Sequence, residues 1–134
     1  MGWALTMLEI GLTKTETFKV LKSHSAQSVK SGGLDVLATP ALIAFMEQTA
    51  FLAVQPHLED GKSTVGTCLE INHIAPTPIG MTVSCTSKLI AINNKELVFE
   101  LVAHDETEKI AYGIHKRFII DAERFQQKAN AKMK

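Results

Sequence analysis

From Ala38 to Val54 the chain is apolar on every face of a 3.6-residue period, and the run holds a single carboxylate, Glu47. Thr39 followed by Pro40 predicts the helix start, because a threonine N-cap takes an orphan N–H and proline at the first helical position has none to lose. Pro56 marks the stop. Glu47 shares its face with Ile43, Ala44, Ala50, Phe51 and Val54, while Leu42, Phe45, Met46, Thr49, Leu52 and Ala53 form an equally apolar opposite face. A helix without a solvated stripe is normally buried, so the pattern holds Glu47 inside the protein or at an interface.

The rest of the chain reads mostly as strands. Leu12 to Leu21 is rich in β-branched and aromatic residues. Lys22 to Ala38 is polar and then glycine-bearing at Ser31-Gly32-Gly33, which predicts a loop or lid with a short strand near Ala26 to Val29. After a turn at His57 to Lys62, four extended segments follow. Ser63 to Thr77 runs into the bend Ala75-Pro-Thr-Pro-Ile-Gly80. Met81 to Asn93 alternates Met81, Val83, Cys85 and Leu89 against Thr82, Ser84, Thr86 and Lys88, as a half-buried strand does. Glu96 to His104 places Leu97, Phe99, Leu101 and Ala103 on one face. Ile110 to Ile120 alternates Ile110, Tyr112, Ile114 and Phe118 against Ala111, Gly113, His115 and Arg117. Asp121 to Lys134 reads as a solvated terminal helix. Strand, long helix and four antiparallel strands in a meander predict an α+β domain whose five-stranded sheet wraps the helix. One sheet does not cover a helix that is apolar all round, and a homodimer completes the burial.

Composition narrows the function. At 134 residues there is room for one domain, read as residues 13–134 behind an extension at 1–12, with Met7 a second candidate start. Lysine plus arginine and aspartate plus glutamate number 14 each, so the basic footprint of a nucleic-acid binder is missing. The apolar run at the N-terminus is short and lacks a basic flank, and the longest one elsewhere contains Glu47, so neither a signal peptide nor a membrane span is expected. The expected location is the cytoplasm, with Cys68 and Cys85 as buried thiols.

Among polar residues Glu47 leads, as a carboxylate tuned by burial for general-base or nucleophilic work or as one merely paired inside. His73, flanked by Ile71, Ile74 and Ala75 before the proline bend, is its best candidate partner. Thr39 is explained equally well by capping. Gly66 interrupts a strand pattern, which suggests a bulge or a close backbone approach by a ligand. His24, His57, His104 and His115 complete the set: His57 lies in a turn and is expected to be solvated, and His104 and His115 can face each other across the last hairpin. No spacing resembles a zinc site, and there is no phosphate loop, nucleophile elbow or Cys-x-x-Cys pair.

The ordered set Thr39, Glu47, Gly66-Thr67, His73 in His-Ile-Ala-Pro-Thr-Pro-Ile-Gly, Ala103-His-Asp and Gly113-Ile-His-Lys-Arg117 resembles the hotdog-fold acyl-CoA thioesterases of the fluoroacetyl-CoA thioesterase type, over about Thr13 to Phe125. The resemblance implies a hotdog fold, a homodimer or a higher assembly with sites at the subunit interface, and hydrolysis of an acyl-CoA thioester. Coenzyme A is then part of the substrate, and no separate cofactor or metal is implied. By position Thr39, Glu47 and His73 match the catalytic residues, and Gly66 and Arg117 match substrate-binding positions. The fluoroacetyl-specific relative is rich in phenylalanine before its threonine, whereas this chain has Lys30-Ser-Gly-Gly-Leu-Asp35. That departure argues for a more open lid and a different or larger acyl group.

Thioester hydrolysis needs a nucleophile, a proton shuttle and donors for the oxyanion. Glu47 can attack directly or deprotonate water, with His73 moving the proton and the Gly66 N–H polarising the carbonyl. Eight residues of helix rise about 12 Å, so Thr39 and Glu47 are expected to meet only through substrate, a water or a second subunit. A non-catalytic acyl-CoA binder and an enoyl-thioester hydratase are the rival readings on the same fold.

Overall fold

The computed structural model describes residues 8–133, so the candidate start at Met7 lies outside the described residues. A five-stranded antiparallel sheet wraps one long helix. The elements are β1 (Thr13–Lys19), α1 (Thr39–Val54), β2 (Lys62–His73), β3 (Thr82–Asn93), β4 (Glu96–His104), β5 (Lys109–Asp121) and α2 (Ala122–Asn130).

The sheet order is β1-β3-β4-β5-β2. The expected meander is therefore correct only for β3, β4 and β5. The proline-rich connection from Ile74 to Met81 carries the chain away from β2, which pairs instead with β5 and forms an edge. Proline and glycine there stop the chain from folding straight back as a hairpin. Residues 8–12 lead into the sheet, with Gly11 N–H donating to the Leu89 carbonyl and Leu89 N–H to that of Leu12.

The core lies between the concave face of the sheet and α1. Leu42, Phe45, Met46, Thr49, Ala50, Ala53 and Val54 of the helix are buried, facing Val83, Cys85 and Leu89 of β3 and Leu97, Phe99, Leu101 and Ala103 of β4. The alternation in β3 and β4 names this face because side chains of period two must divide between core and solvent. Phe18 of β1 stacks on Phe45 at 4.4 Å between ring centroids. Coverage is uneven: Ile43, Glu47 and Phe51 remain half-buried, and Ala44 and Gln48 are exposed. A stripe of α1 is left open within the chain.

The segment before α1 contains no strand at 26–29. Ser25 Oγ accepts the Ser28 N–H, and Val29 N–H reaches the Ser25 carbonyl. Such side-chain-to-backbone bonds curl the chain into turns in preference to an extended run. Further on, Ala26 and Gln27 donate to Val36 and Leu34, and Ala38 N–H donates to the His24 carbonyl, which fixes the entry to α1.

Both cysteines are free, Cys85 buried and Cys68 half-buried. Among the described residues no helix is long and apolar enough to cross a membrane.

Candidate active site

Thr39 does not cap its helix. The cap position is Ala38, in extended conformation at φ −73° and ψ 142°, and no side chain satisfies the first turn. With Thr39 and Pro40 as the first two helical residues, the threonine hydroxyl turns outward and lies 2.8 Å from His73 Nδ1, at the end of β2. Burial holds the His73 imidazole below the usual histidine range, while the Ala75 backbone raises it in part. His73 Nε2 is buried without a hydrogen-bond partner among the described residues. A neutral imidazole against a hydroxyl is the arrangement that accepts a proton from it.

Glu47 stands two helical turns further along, and its expected partnership with His73 is not formed within this chain. Its side chain remains 36% exposed and its Oε2 lies 3.6 Å from Arg117 Nη1. Eight residues of α1 separate Glu47 from Thr39 by a rise of about 12 Å, so Glu47 and the Thr39–His73 pair form separate stations of one chain. Gly66 packs against the second station: a Cβ built there falls 2.5 Å from Glu47 Oε2 and 3.2 Å from His115 Cε1. The β2–β5 register slips between Gly66 and Cys68, so Thr67 is an extra residue in a bulge beside the carboxylate.

Arg117 is almost fully buried and held on three sides. Its Nε donates to Thr64 Oγ1 at 2.8 Å and its Nη2 to the Thr64 carbonyl at 3.0 Å. Its Nη1 lies 3.1 Å from His115 Nε2, and the guanidinium sits 5.7 Å from the centre of the Phe51 ring. His115 Nδ1 lies 2.9 Å from the Cys68 carbonyl oxygen.

The sequence showed His115 within the Gly113-Ile-His-Lys-Arg117 motif and as a candidate neighbour of His104. The register instead sets His115 opposite Phe99 and His104 opposite Lys109, with a slip between Ala103 and His104. Within β5 the inward residues include Ala111, His115 and Arg117, whereas Tyr112 and Phe118 are 41% and 40% exposed. The more polar set faces the helix, where Arg117 meets Glu47. His-x-Arg at a spacing of two, which shares one strand face, was the sequence signal for this pair.

The other histidines stand apart. His24 Nδ1 accepts the Leu21 N–H and its ring meets the Phe45 edge. His57 is half-buried in a short 3-10 turn, not fully solvated. A groove of about 1090 Å³ between α2, the His57–Glu59 turn and the end of β5 includes none of the five candidate residues. Among the described residues no group of three or more histidine, cysteine or acidic side chains is arranged to hold a metal.

Comparison with known proteins shows the family and the fold. The profile of the family described as "FlK: Fluoroacetyl-CoA-specific thioesterase" matches residues 20–123. The fluoroacetyl-CoA thioesterase of Streptantibioticus cattleyicolor is 35% identical over 98 residues, 73% of this chain and 70% of that protein. A crystal structure of the fluoroacetyl-CoA thioesterase FlK superposes with a TM-score of 0.91 at 28% identity, covering 96% of this chain and 99% of that one. A threonine-to-serine mutant of FlK in complex with acetyl-CoA also gives 0.91 at 28% identity, covering 95% and 100%. A hot-dog-like protein from Thermanaerovibrio acidaminovorans shares the fold, with a TM-score of 0.85 at 20% identity over 95% and 94% of the two chains.

Proposed function

Because the chain belongs to the fluoroacetyl-CoA-specific thioesterase family and is a hotdog-fold thioesterase, we propose that Thr39, His73 and Glu47 carry its hydrolysis of an acyl-CoA to the free acid and coenzyme A. The observation that carries this reading is the 2.8 Å pairing of Thr39 with His73. A hydroxyl spared from capping and set against a neutral imidazole has chemical work available that helix formation does not require.

The two stations of one subunit are too far apart to act on one carbonyl, and a two-fold dimer resolves this. Strand β2 is an edge with an unpaired side, and Glu47 of the open α1 stripe packs against Gly66 on that strand. Antiparallel association of two β2 edges sets the two α1 helices side by side and antiparallel. With the two-fold axis passing near Ile43, midway between Thr39 and Glu47, each Thr39–His73 pair meets the Glu47 of the second subunit. Both half-buried apolar side chains of the stripe, Ile43 and Phe51, are covered in the same step. The cytoplasm, where acyl-CoA is made and used, is the location consistent with this activity.

In such a site the thioester carbonyl lies between the stations. Gly66 packs directly against the Glu47 carboxylate, and its backbone N–H is the donor assigned to the carbonyl oxygen in this reading. Either Glu47 removes the proton of a water that attacks the carbonyl carbon, or Glu47 attacks it and a water then hydrolyses the resulting mixed anhydride. On both routes the C–S bond breaks, coenzyme A leaves as the thiolate, and the thiolate takes up a proton derived from that water, with the neutral His73 and the Thr39 hydroxyl as the relay. The acyl group enters past residues 27–35, all exposed and including Gly32 and Gly33, so acyl groups larger than fluoroacetyl are accepted.

A panel of acyl-CoAs varied in length and polarity, read by thiol release, tests the reading. Turnover that disappears in Glu47→Gln and persists in Lys62→Ala is the expected result. An enoyl substrate consumed without thiol release, or binding with no turnover of any acyl-CoA, overturns it.

A further inference from the structure

His115 is fully buried, with 0% of its surface exposed, yet no step of the hydrolysis uses it. Its two ring nitrogens face groups of opposite demand. The Cys68 carbonyl, 2.9 Å from Nδ1, can only accept, so Nδ1 carries the proton. The Arg117 Nη1, 3.1 Å from Nε2, can only donate, so Nε2 presents its lone pair. One tautomer satisfies both contacts, and an imidazolium would set an N–H against an N–H.

The charge of Arg117 is correspondingly held back from Glu47. Charge-assisted N–H···O pairs close to about 2.7–2.9 Å when free to do so. Here the separation is 3.6 Å, while shorter bonds to Thr64 and His115 occupy three of the guanidinium's edges. A carboxylate clamped bidentately by arginine has its lone pairs engaged and is a poor base or nucleophile. One held at 3.6 Å keeps an attractive neighbour and a free oxygen.

We propose that His115 is a positioning residue: a neutral imidazole strut between the Cys68 carbonyl and the Arg117 guanidinium that stops Arg117 from closing on Glu47. The strut rests on the reading that Glu47 acts in thioester hydrolysis. It also explains why the β2 bulge falls where it does, since the slip after Gly66 brings the Cys68 carbonyl onto His115 Nδ1. The groups acting on the ring from each packed element are few. Arg117 lies on its own strand, Glu47 on α1, the Cys68 carbonyl on β2, and the apolar Phe99 ring on β4 at 6.0 Å. Burial first, then Arg117, keep the imidazole below the usual histidine range, against the Cys68 bond and Glu47.

The test compares His115→Leu, which removes both contacts, with His115→Gln, whose amide donates to a carbonyl and accepts from a guanidinium. With acetyl-CoA as probe, kcat in His115→Leu is expected to fall about tenfold with KM within about twofold, and His115→Gln to recover most of it. In the Leu variant's crystal structure Arg117 closes on Glu47. An unchanged kcat in His115→Leu, or equal losses in both folded variants, overturns the proposal. Nitrogen-15 spectra of the wild-type imidazole decide it even if the Leu variant fails to fold. The neutral Nδ1–H form at pH 6 supports the strut, and an imidazolium there overturns it. Glu47→Gln with wild-type turnover instead removes the catalytic reading, and leaves the tautomer measurement standing.

Discussion

The hydroxyl of Thr39 and Nδ1 of His73 lie 2.8 Å apart, joining the first turn of α1 to the last residue of β2. The contact spans 34 residues of sequence and spares the threonine from capping. Stability and activity are therefore separable at this position. A capping threonine costs about 1 kcal/mol when cut to alanine; Thr39→Ala is expected to melt within a few degrees of wild type, while kcat/KM falls about a hundredfold. Thr39→Ser retains the hydroxyl and most of the activity. Parallel melting curves and thiol-release kinetics on the three proteins check this.

Mixing variants tests where the two stations meet. If each site takes Thr39 and His73 from one subunit and Glu47 from the other, Thr39→Ala and Glu47→Gln are each inactive alone. Co-refolded, they give heterodimers with one site made wholly of wild-type residues. Activity is expected to reappear on mixing, with about a quarter of wild-type turnover for random pairing in a symmetric dimer. No recovery in a mixture shown to contain heterodimer would place each site within a single subunit.

Glycine is required at position 66 for space. Its missing Cβ would sit 2.5 Å from the Glu47 carboxylate. The obstacle is the mobile end of a side chain, so Gly66→Ala is expected to fold and to displace Glu47. Misplacing a reacting group by about 1 Å costs up to about a hundredfold in rate. Gly113 differs, because a Cβ there would strike the Glu70 backbone carbonyl. Gly113→Ala is expected to disrupt the β2–β5 pairing and yield little soluble protein, as expression and circular dichroism would report.

Arg117 should matter more to stability than its ion pair suggests. Glu47 is 36% exposed, so solvent screens the Coulombic part. The buried contacts to Thr64 and His115 are another matter, since each orphaned buried group costs about 1–3 kcal/mol. Arg117→Leu is expected to lower the denaturation midpoint clearly and to reduce turnover. Arg117→Lys should rescue little, because an ammonium cannot reproduce three in-plane donations.

The two site histidines make stability depend on pH in a defined direction. Burial holds both His73 and His115 below their ordinary value of 6.5. In the window between 6.5 and those lowered values the unfolded chain binds more protons than the folded one. Stability therefore rises with pH through this window and is lost as pH falls through it. Melting temperature is expected to be level in this respect above about pH 7 and to decline below about 6.5. Replacing His115 by Gln should flatten that decline.

Much of this was written in the chain. Alternation in β3 and β4 named the core face because a strand has only two sides. The apolar run with one carboxylate marked α1 and singled out Glu47, because a charge among aliphatic neighbours has to be paired. The ordered motifs marked the family. These signals are local, or are spacings that a linear chain displays directly.

What the chain alone left open were the pairings made across long separations. Thr39 looked like a cap because capping is the local option, and only the arrival of β2 with His73 gave its hydroxyl a better partner. His73 looked like the partner of Glu47, but helical rise holds them apart and Arg117 comes from β5 instead. The polar face of β5 turned inward, where Thr64 and Cys68 of β2 and Glu47 of α1 meet its Arg117 and His115. Such choices depend on strand order and register, which three register slips and a proline bend decide only once the whole sheet has assembled.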